Sequence, residues 1–196
     1  MSFAHILVIV SALLTIFAAS VYIRDTLKGQ TKPNRVSWFL WALLPLIGTA
    51  AAFRANADPW ATVRVFLAGF LPLIILIASF WNKKSYWQLT SFDWLCGAFA
   101  LLAIAIWLTL DSPKLAILFA AIGDGFAALP TVVKAWKYPK TETGITYVIN
   151  FIAVLLVIPS IPIWNIENSA FQIYLLITNL VLIISIYKGK FIKKQT

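Results

Sequence analysis

One carboxylate lies in the middle of an apolar run of this sequence. Asp124 occurs in the stretch AAIGDGFAALP, about ten residues or ~15 Å from the start of a predicted helix. A carboxylate near the centre of a bilayer is costly and is by default a functional candidate. We expect Asp124 to relay protons, to bind a cation or to accept a hydrogen bond from a substrate. The structural alternative is that Asp124 pairs with a neighbouring helix or with Arg64, which could instead extend to the outer interface.

Two amides and two tryptophans also lie in apolar runs. Asn179 lies at a depth similar to that of Asp124, and Asn150 lies about two turns into another predicted helix. Trp41 lies about two turns into an earlier helix, and Trp38 shares its face because they are three residues apart. An aromatic wall opposite an amide suits a sugar, a nucleoside or another planar ligand. The alternatives are interhelical hydrogen bonds for the amides and interfacial anchoring for the tryptophans.

No enzyme signature accompanies these residues. The sequence lacks His and Cys at metal-ligand spacing, a glycine-rich phosphate loop and a mid-chain histidine for a catalytic triad. We therefore expect no catalytic activity, no metal and no cofactor. The single cysteine, Cys96, lies in an apolar run and is expected to be a packing residue.

The elements that must position these side chains are predicted membrane spans. Of the 196 residues, 61% are hydrophobic and 12% are charged, whereas a soluble domain is about one quarter charged. The net charge of +9 does not indicate a nucleic-acid partner, because the basic residues lie between apolar runs. Seven runs are long enough to cross a bilayer as helices: 3–23, 36–53, 60–80, 92–110, 114–133, 144–161 and 169–187.

The basic residues predict an orientation for these spans. One side of the membrane would carry most of them: Arg24, Lys28, Lys32, Arg35, Lys83, Lys84, Lys134, Lys137, Lys140, Lys188, Lys190, Lys193 and Lys194. The other side would carry only Arg54 and Lys114. The positive-inside rule then places the N-terminus outside and the C-terminus in the cytoplasm.

The first three spans align without a gap with the last three. In this self-alignment Trp38 meets Tyr147, and Trp41 meets Asn150. Because a single span separates the two copies, both copies have the same orientation. This arrangement predicts a parallel repeat around a central site near the bilayer midplane. Tyr147 is expected to gate the cytoplasmic mouth of that site.

The stretch LPTVVKAWKYPKTETGITYVIN resembles the PQ-loop motif of the PQ-loop and SWEET superfamily. Pro130 matches the proline of the motif, Thr131 stands where glutamine is usual, and residues 140–144 match its Lys-Ser-Thr-Glu-Gly-like turn. The first copy departs from the motif, since Val21 and Tyr22 replace the Pro-Gln pair. The resemblance covers nearly the whole chain and implies a small-molecule carrier with three helices, a linker helix and three further helices.

The resemblance also implies roles for particular residues. An asparagine at mid-depth in the last helix contacts substrate in SWEETs, and Asn179 matches it, although Phe70 stands at the equivalent position of the first copy. SWEETs also use prolines within helices as hinges. This role would fall to Pro45, Pro130 and Pro159, which are predicted, like Pro72, to interrupt helices.

These observations predict an all-α integral membrane protein. Two triple-helix bundles, 1–83 and 113–187, would be joined by a linker helix, 84–112, and followed by a basic tail, 188–196. We expect a facilitator or proton-coupled carrier of a small polar or aromatic solute, such as a sugar, amino acid, nucleoside or vitamin precursor. It would act by alternating access in a bacterial inner (plasma) membrane, as a monomer or a homo-oligomer. The alternatives are a ligand-binding receptor or sorting protein of the same fold, and a structural membrane subunit.

Overall fold

The chain is all-helical in the parts that the structure describes. The computed structural model describes residues 3–54, 59–110, 112–161 and 163–192, which form seven α-helices and no strand. The helices are α1 (Phe3–Leu27), α2 (Arg35–Arg54), α3 (Pro59–Trp81), α4 (Ser91–Trp107), α5 (Pro113–Lys137), α6 (Gly144–Val157) and α7 (Ile166–Ile192). Short 3₁₀ turns follow α3, α5 and α6. The expected helical class and the seven predicted helices are confirmed.

Several helix ends differ from the predicted ones. Both α1 and α5 continue past their apolar runs, to Leu27 and Lys137, and α7 continues through part of the predicted basic tail to Ile192. At the end of α1 the helix can continue through Arg24, whose long side chain is more than half exposed and reaches water. In contrast, α6 ends early at Val157, and Ile158–Ser160 forms a 3₁₀ turn. Pro159 cannot continue the helical ladder because it has no backbone N–H.

The prolines predicted to act as hinges therefore lie in two different settings. Pro45 and Pro130 lie inside α2 and α5, and Pro72 lies inside α3. Pro159 lies beyond the end of α6, within its 3₁₀ turn. Pro159 thus ends the α-helical part of the predicted sixth span and does not lie inside α6.

In the described part of the chain, three helices are long and apolar enough to cross a membrane, over His5–Leu27, Ile117–Lys137 and Asn168–Gly189. The apolar stretches of the other four helices are shorter. Large apolar side chains also cover the outside of the bundle, as Leu13, Phe17 and Leu102 show, each more than half exposed. A soluble monomer rarely exposes contiguous apolar surface on this scale. These features support membrane-spanning helices.

The three helices before α4 in the chain and the three helices after it make contacts of the same pattern. α3 packs against both α1 and α2, and α7 packs against both α5 and α6. Across the bundle, α1 contacts α6, and α2 contacts α5. α4 packs against α5 and, less extensively, against α2.

The loops after α1, α3 and α5 meet at one end of the bundle. Ser85, after α3, donates to the carbonyl oxygen of Thr26 in α1. The Lys32 backbone N–H, after α1, donates to the carbonyl oxygen of Thr141 at 3.0 Å. We call this the Lys-rich end, because Lys28, Lys32, Lys83, Lys84, Lys134, Lys137 and Lys140 belong to the helix ends and loops that meet there.

Candidate functional site

A cavity of about 240 Å³ lies between α1, α2, α3, α5, α6 and α7. All six residues predicted to bind substrate line it: Trp38, Trp41, Asp124, Tyr147, Asn150 and Asn179. They come from four different helices, and the packing of those helices brings them to one place. Among the described residues, no cluster of three or more His, Cys, Asp or Glu suits a metal ion.

Asp124 lies near the middle of α5 and is 7% exposed. Tyr174 of α7 donates its hydroxyl hydrogen to Asp124 Oδ2, with an O–O distance of 2.6 Å. The indole N–H of Trp41 lies within reach of the same carboxylate. Asp124 thus has the neighbouring-helix partner that the sequence offered as one alternative. The other suggested partner, Arg64, belongs to α3, but its side chain lies outside the described residues.

The two glycines that flank Asp124 have different neighbours. A Cβ on Gly123 would stand 3.4 Å from Cβ of Ala103, so this glycine faces α4. A Cβ on Gly125 would stand 3.7 Å from the ring of Tyr174, so this glycine faces α7. Gly123 therefore lies at a helix contact, while Gly125 lies beside the tyrosine that holds the carboxylate.

The two amides that line the cavity differ in their hydrogen bonds. Oδ1 of Asn150 is buried and has no hydrogen-bond partner. Asn179 donates from Nδ2 to the carbonyl oxygen of Leu175 at 2.8 Å. This bond is within α7, so it is not the interhelical bond that the sequence suggested.

Sequence reasoning missed several side chains that line the cavity or bond to its lining. Tyr174 was missed because an amphipathic tyrosine does not stand out in an apolar run as a carboxylate or an amide does. The helical spacing of Tyr174 and Thr178 was one available signal, because residues four apart share a face. Thr15 of α1 also lines the cavity, and the self-alignment pairs it with Asp124, which could have identified it.

The aromatic residues form a layer at the side of the cavity nearer the Lys-rich end. The rings of Trp38 and Trp41 meet edge to face, with centroids 5.1 Å apart, as their predicted shared face requires. The ring centroid of Tyr22 lies 4.7 Å from that of Trp38, and Trp38 Nε1 donates to Tyr22 Oη at 3.3 Å. Tyr22 is fully buried. This layer separates the cavity from the loops of that end.

A buried group of polar side chains lies directly beyond this layer. The hydroxyls of Tyr22 and Tyr147 each donate to Glu142 Oε2 at 2.9 Å. Lys134 forms an ion pair with Glu142 and donates to the carbonyl oxygen of Lys32. We call Tyr22, Lys134, Glu142 and Tyr147 the Glu142 cluster. The sequence placed Lys134 just after the fifth predicted span, which ends at residue 133. This prediction is wrong, because α5 extends to Lys137 and Glu142 supplies a buried counter-charge.

Further bonds tie the end of α1 to the start of α6. The hydroxyls of Thr31 and Thr143 are hydrogen-bonded to each other, and Thr143 also donates to Asp25 Oδ2 at 3.1 Å. Thr146 donates to the carbonyl oxygen of Ala18 at 3.0 Å. The Lys-rich end is thus closed by direct bonds between the first and second halves of the chain.

Comparison of the chain with protein-family models, with curated proteins and with solved structures gives no match. The chemistry of the cavity and the bonds around it therefore carry the functional argument.

Proposed function

We propose that the chain is an integral membrane transporter that moves a small polar solute by alternating access. The observation that carries this proposal is the cavity, which is enclosed by helices from both halves of the chain. A carboxylate, two amides and an aromatic wall face it. Asp124 keeps acceptor positions beyond its bond to Tyr174, which favours a ligand that donates a hydrogen bond.

The pattern of contacts supports a two-bundle organisation of the carrier. The self-alignment equates α1 with α5 and α2 with α6, so it also equates the α1–α6 contact with the α2–α5 contact. It equates Lys32 with Thr141, and these two residues share a backbone hydrogen bond. Such a bond is expected where a pseudo-two-fold axis passes between two repeats. The arrangement agrees with what the PQ-loop and SWEET resemblance implies.

Transport would require the Lys-rich end to open. In the observed conformation the aromatic layer and the Glu142 cluster cover the cavity on that side. Pro130 lies in α5 between Asp124 and Lys134, so a bend at this proline would move the Glu142 cluster relative to the cavity. Pro45 lines the cavity from α2 and offers a second point of bending.

We propose that the Lys-rich end faces the cytoplasm of a bacterial inner membrane, with the N-terminus outside. The support is the distribution of basic residues, which follows the positive-inside rule. A reporter that is active only in the cytoplasm, fused after Thr196, should be active. The same reporter fused before Met1 should be inactive, and the reverse result would contradict this orientation.

The experiment for the main proposal has two stages. Purified full-length protein is first screened by thermal unfolding against sugars, amino acids, nucleosides and vitamin precursors, because a ligand selective for the folded state raises its stability. Each binder is then tested for uptake into proteoliposomes, with empty liposomes as the control. Binding with uptake supports the transporter. Binding without uptake favours the ligand-binding receptor. If Asp124→Ala leaves every phenotype intact, the structural membrane subunit is favoured.

A further inference from the structure

Several hydrogen-bond donors around the cavity are occupied by the protein itself. Tyr174 donates to Asp124, Trp38 to Tyr22, and Tyr147 to Glu142. Thr15 donates to the carbonyl oxygen of Ser11 at 2.9 Å, and Asn179 donates to that of Leu175. Each of these donors points at an acceptor of the protein, so few of them remain for a ligand.

The acceptors around the cavity are in surplus. A carboxylate has about four lone-pair positions, and two donors, from Tyr174 and Trp41, reach that of Asp124. Asn150 Oδ1 has no partner. No hydrogen bond of the described residues uses Asn179 Oδ1. Asp124 and Asn179 therefore keep acceptor positions for a donor on a ligand.

The charges around the cavity favour a ligand with a positive charge. Asp124 takes part in neither ion pair of the described residues, which join Arg24 to Asp25 and Lys134 to Glu142. None of the described residues that line the cavity is Lys, Arg or His. An ionised carboxylate in an apolar interior is costly unless a cation accompanies it. A ligand that carries a positive charge would supply this cation.

The aromatic wall also favours a ligand with a positive charge. The indole N–H of Trp38 is bonded to Tyr22, and that of Trp41 lies within reach of Asp124. The ring faces, which carry negative electrostatic potential, are thus the groups that the wall can offer to a ligand. A cation over such a face is attracted by the ring quadrupole.

From these observations we infer that the solute is a small organic cation, an amine that pairs with Asp124 and rests against Trp41. This inference rests on the proposed function, because it names the substrate class of the same cavity. The volume of about 240 Å³ lies below the usual range for drug-sized ligands, roughly 300–1,000 Å³. A compact amine of the size of phenethylamine fits this limit better than a disaccharide or a nucleotide.

The test compares amines with alcohols of the same shape. Calorimetry on the full chain in lipid nanodiscs measures phenethylamine against 2-phenylethanol, and tryptamine against tryptophol, at fixed pH and salt. We expect each amine to bind at least about tenfold tighter than its alcohol, the gain typical of a hydrogen bond to a charged group. This comparison uses the unaltered protein and does not depend on the folding of a variant.

Three variants test which side chain causes the preference for amines over alcohols. Asp124→Asn should reduce amine binding by about tenfold or more while leaving alcohol binding nearly unchanged. Tyr174→Phe, the matched control, keeps the carboxylate and should keep the preference for amines. Arg64→Gln should also keep it. A preference that arises only in Arg64→Gln would overturn the inference, because Arg64 would then be the cation that neutralises Asp124.

The outcomes separate this inference from the proposed function. Equal binding of amines and alcohols, or no binding of either amine, overturns the substrate class. Uptake of neutral solutes without uptake of amines overturns the class and retains the transporter. Amine-selective binding without uptake into proteoliposomes retains the class and overturns the transporter.

Discussion

Asn150 carries a buried acceptor with no partner in the empty protein. Replacing Asn150 with Leu, which has a similar size, removes this unsatisfied group. We expect the free energy of unfolding to rise by about 1 kcal/mol, while ligand binding weakens. Unfolding by denaturant in detergent measures the first effect, and calorimetry measures the second.

Asn179→Leu provides the control for this change. Asn179 already bonds Leu175 within α7, so its removal should bring no gain in stability. A loss of stability in Asn150→Leu would contradict the assignment, because it would show that Asn150 bonds the protein.

The buried Lys134–Glu142 ion pair leads to a second prediction, on the stability of a variant that lacks one of the two charges. Both side chains are at most 1% exposed. Glu142→Gln keeps an acceptor for Tyr22 and Tyr147 but leaves Lys134 without its counter-charge. Breaking one partner of a buried ion pair typically costs about 3 kcal/mol or more, so the unfolding transition should move to much lower denaturant concentration.

The double variant Lys134→Met, Glu142→Gln tests the cause of that loss. It removes both charges and should recover most of the stability, because a buried pair contributes little beyond an apolar replacement. If the double variant is as unstable as Glu142→Gln alone, the loss comes from the tyrosine hydrogen bonds and not from an unpaired charge.

The contact between α2 and α3 depends on a small side chain at one position. A Cβ at Gly69 would lie 2.9 Å from the carbonyl oxygen of Ala42 and from the backbone nitrogen of Leu46. Neither backbone atom can move without shifting the helix. We expect Gly69→Ala to lower the free energy of unfolding by about 1–3 kcal/mol, measured by denaturant unfolding.

Gly48→Ala is the matched control in the same pair of helices. Its Cβ would lie 3.5 Å from Val65 Cγ1, an ordinary contact. Because Ala is a better helix former than Gly by up to about 1 kcal/mol, this variant should be neutral or slightly more stable. Equal losses in both variants would show that the effect is not specific to the close approach at Gly69.

The helices could be predicted from the sequence more completely than their ends. Long apolar runs identify all seven, because a helix satisfies its own backbone in an apolar environment. The ends of α5 and α6 could not be predicted, because apolar character does not report where backbone bonding stops. α5 continues through Lys134 to Lys137, and α6 stops before Pro159.

The same reasoning explains which site residues were predicted. Asp124, Asn150 and Asn179 stand out because polar groups are rare in apolar runs. Lys134 was predicted to lie in a loop because a charged residue is expected to lie outside an apolar run. Only the fold shows that Lys134 is buried and paired with Glu142. Tyr174 does not stand out from its apolar run by its residue type. Its bond to Asp124 joins residues fifty positions apart in the chain.

The whole molecule is held closed at its Lys-rich end by bonds between its two halves. Thr31 lies in the loop after α1, and Thr143 immediately precedes α6, yet their hydroxyls touch. Around them, Lys32 bonds Thr141, and Tyr22 bonds Glu142. If the chain works by alternating access, these bonds must break in every cycle.

A cross-link at this position tests that requirement. With Thr31 and Thr143 both changed to Cys, in a Cys96→Ala background that removes the single native thiol, mild oxidation should join the halves. We expect the oxidised protein to retain ligand binding and to lose uptake in proteoliposomes, with uptake restored by a reducing agent. The two single-cysteine variants, oxidised in the same way, should transport normally. Because the disulfide would span the two halves at the closed end, full uptake in the cross-linked protein would exclude any cycle in which this end opens.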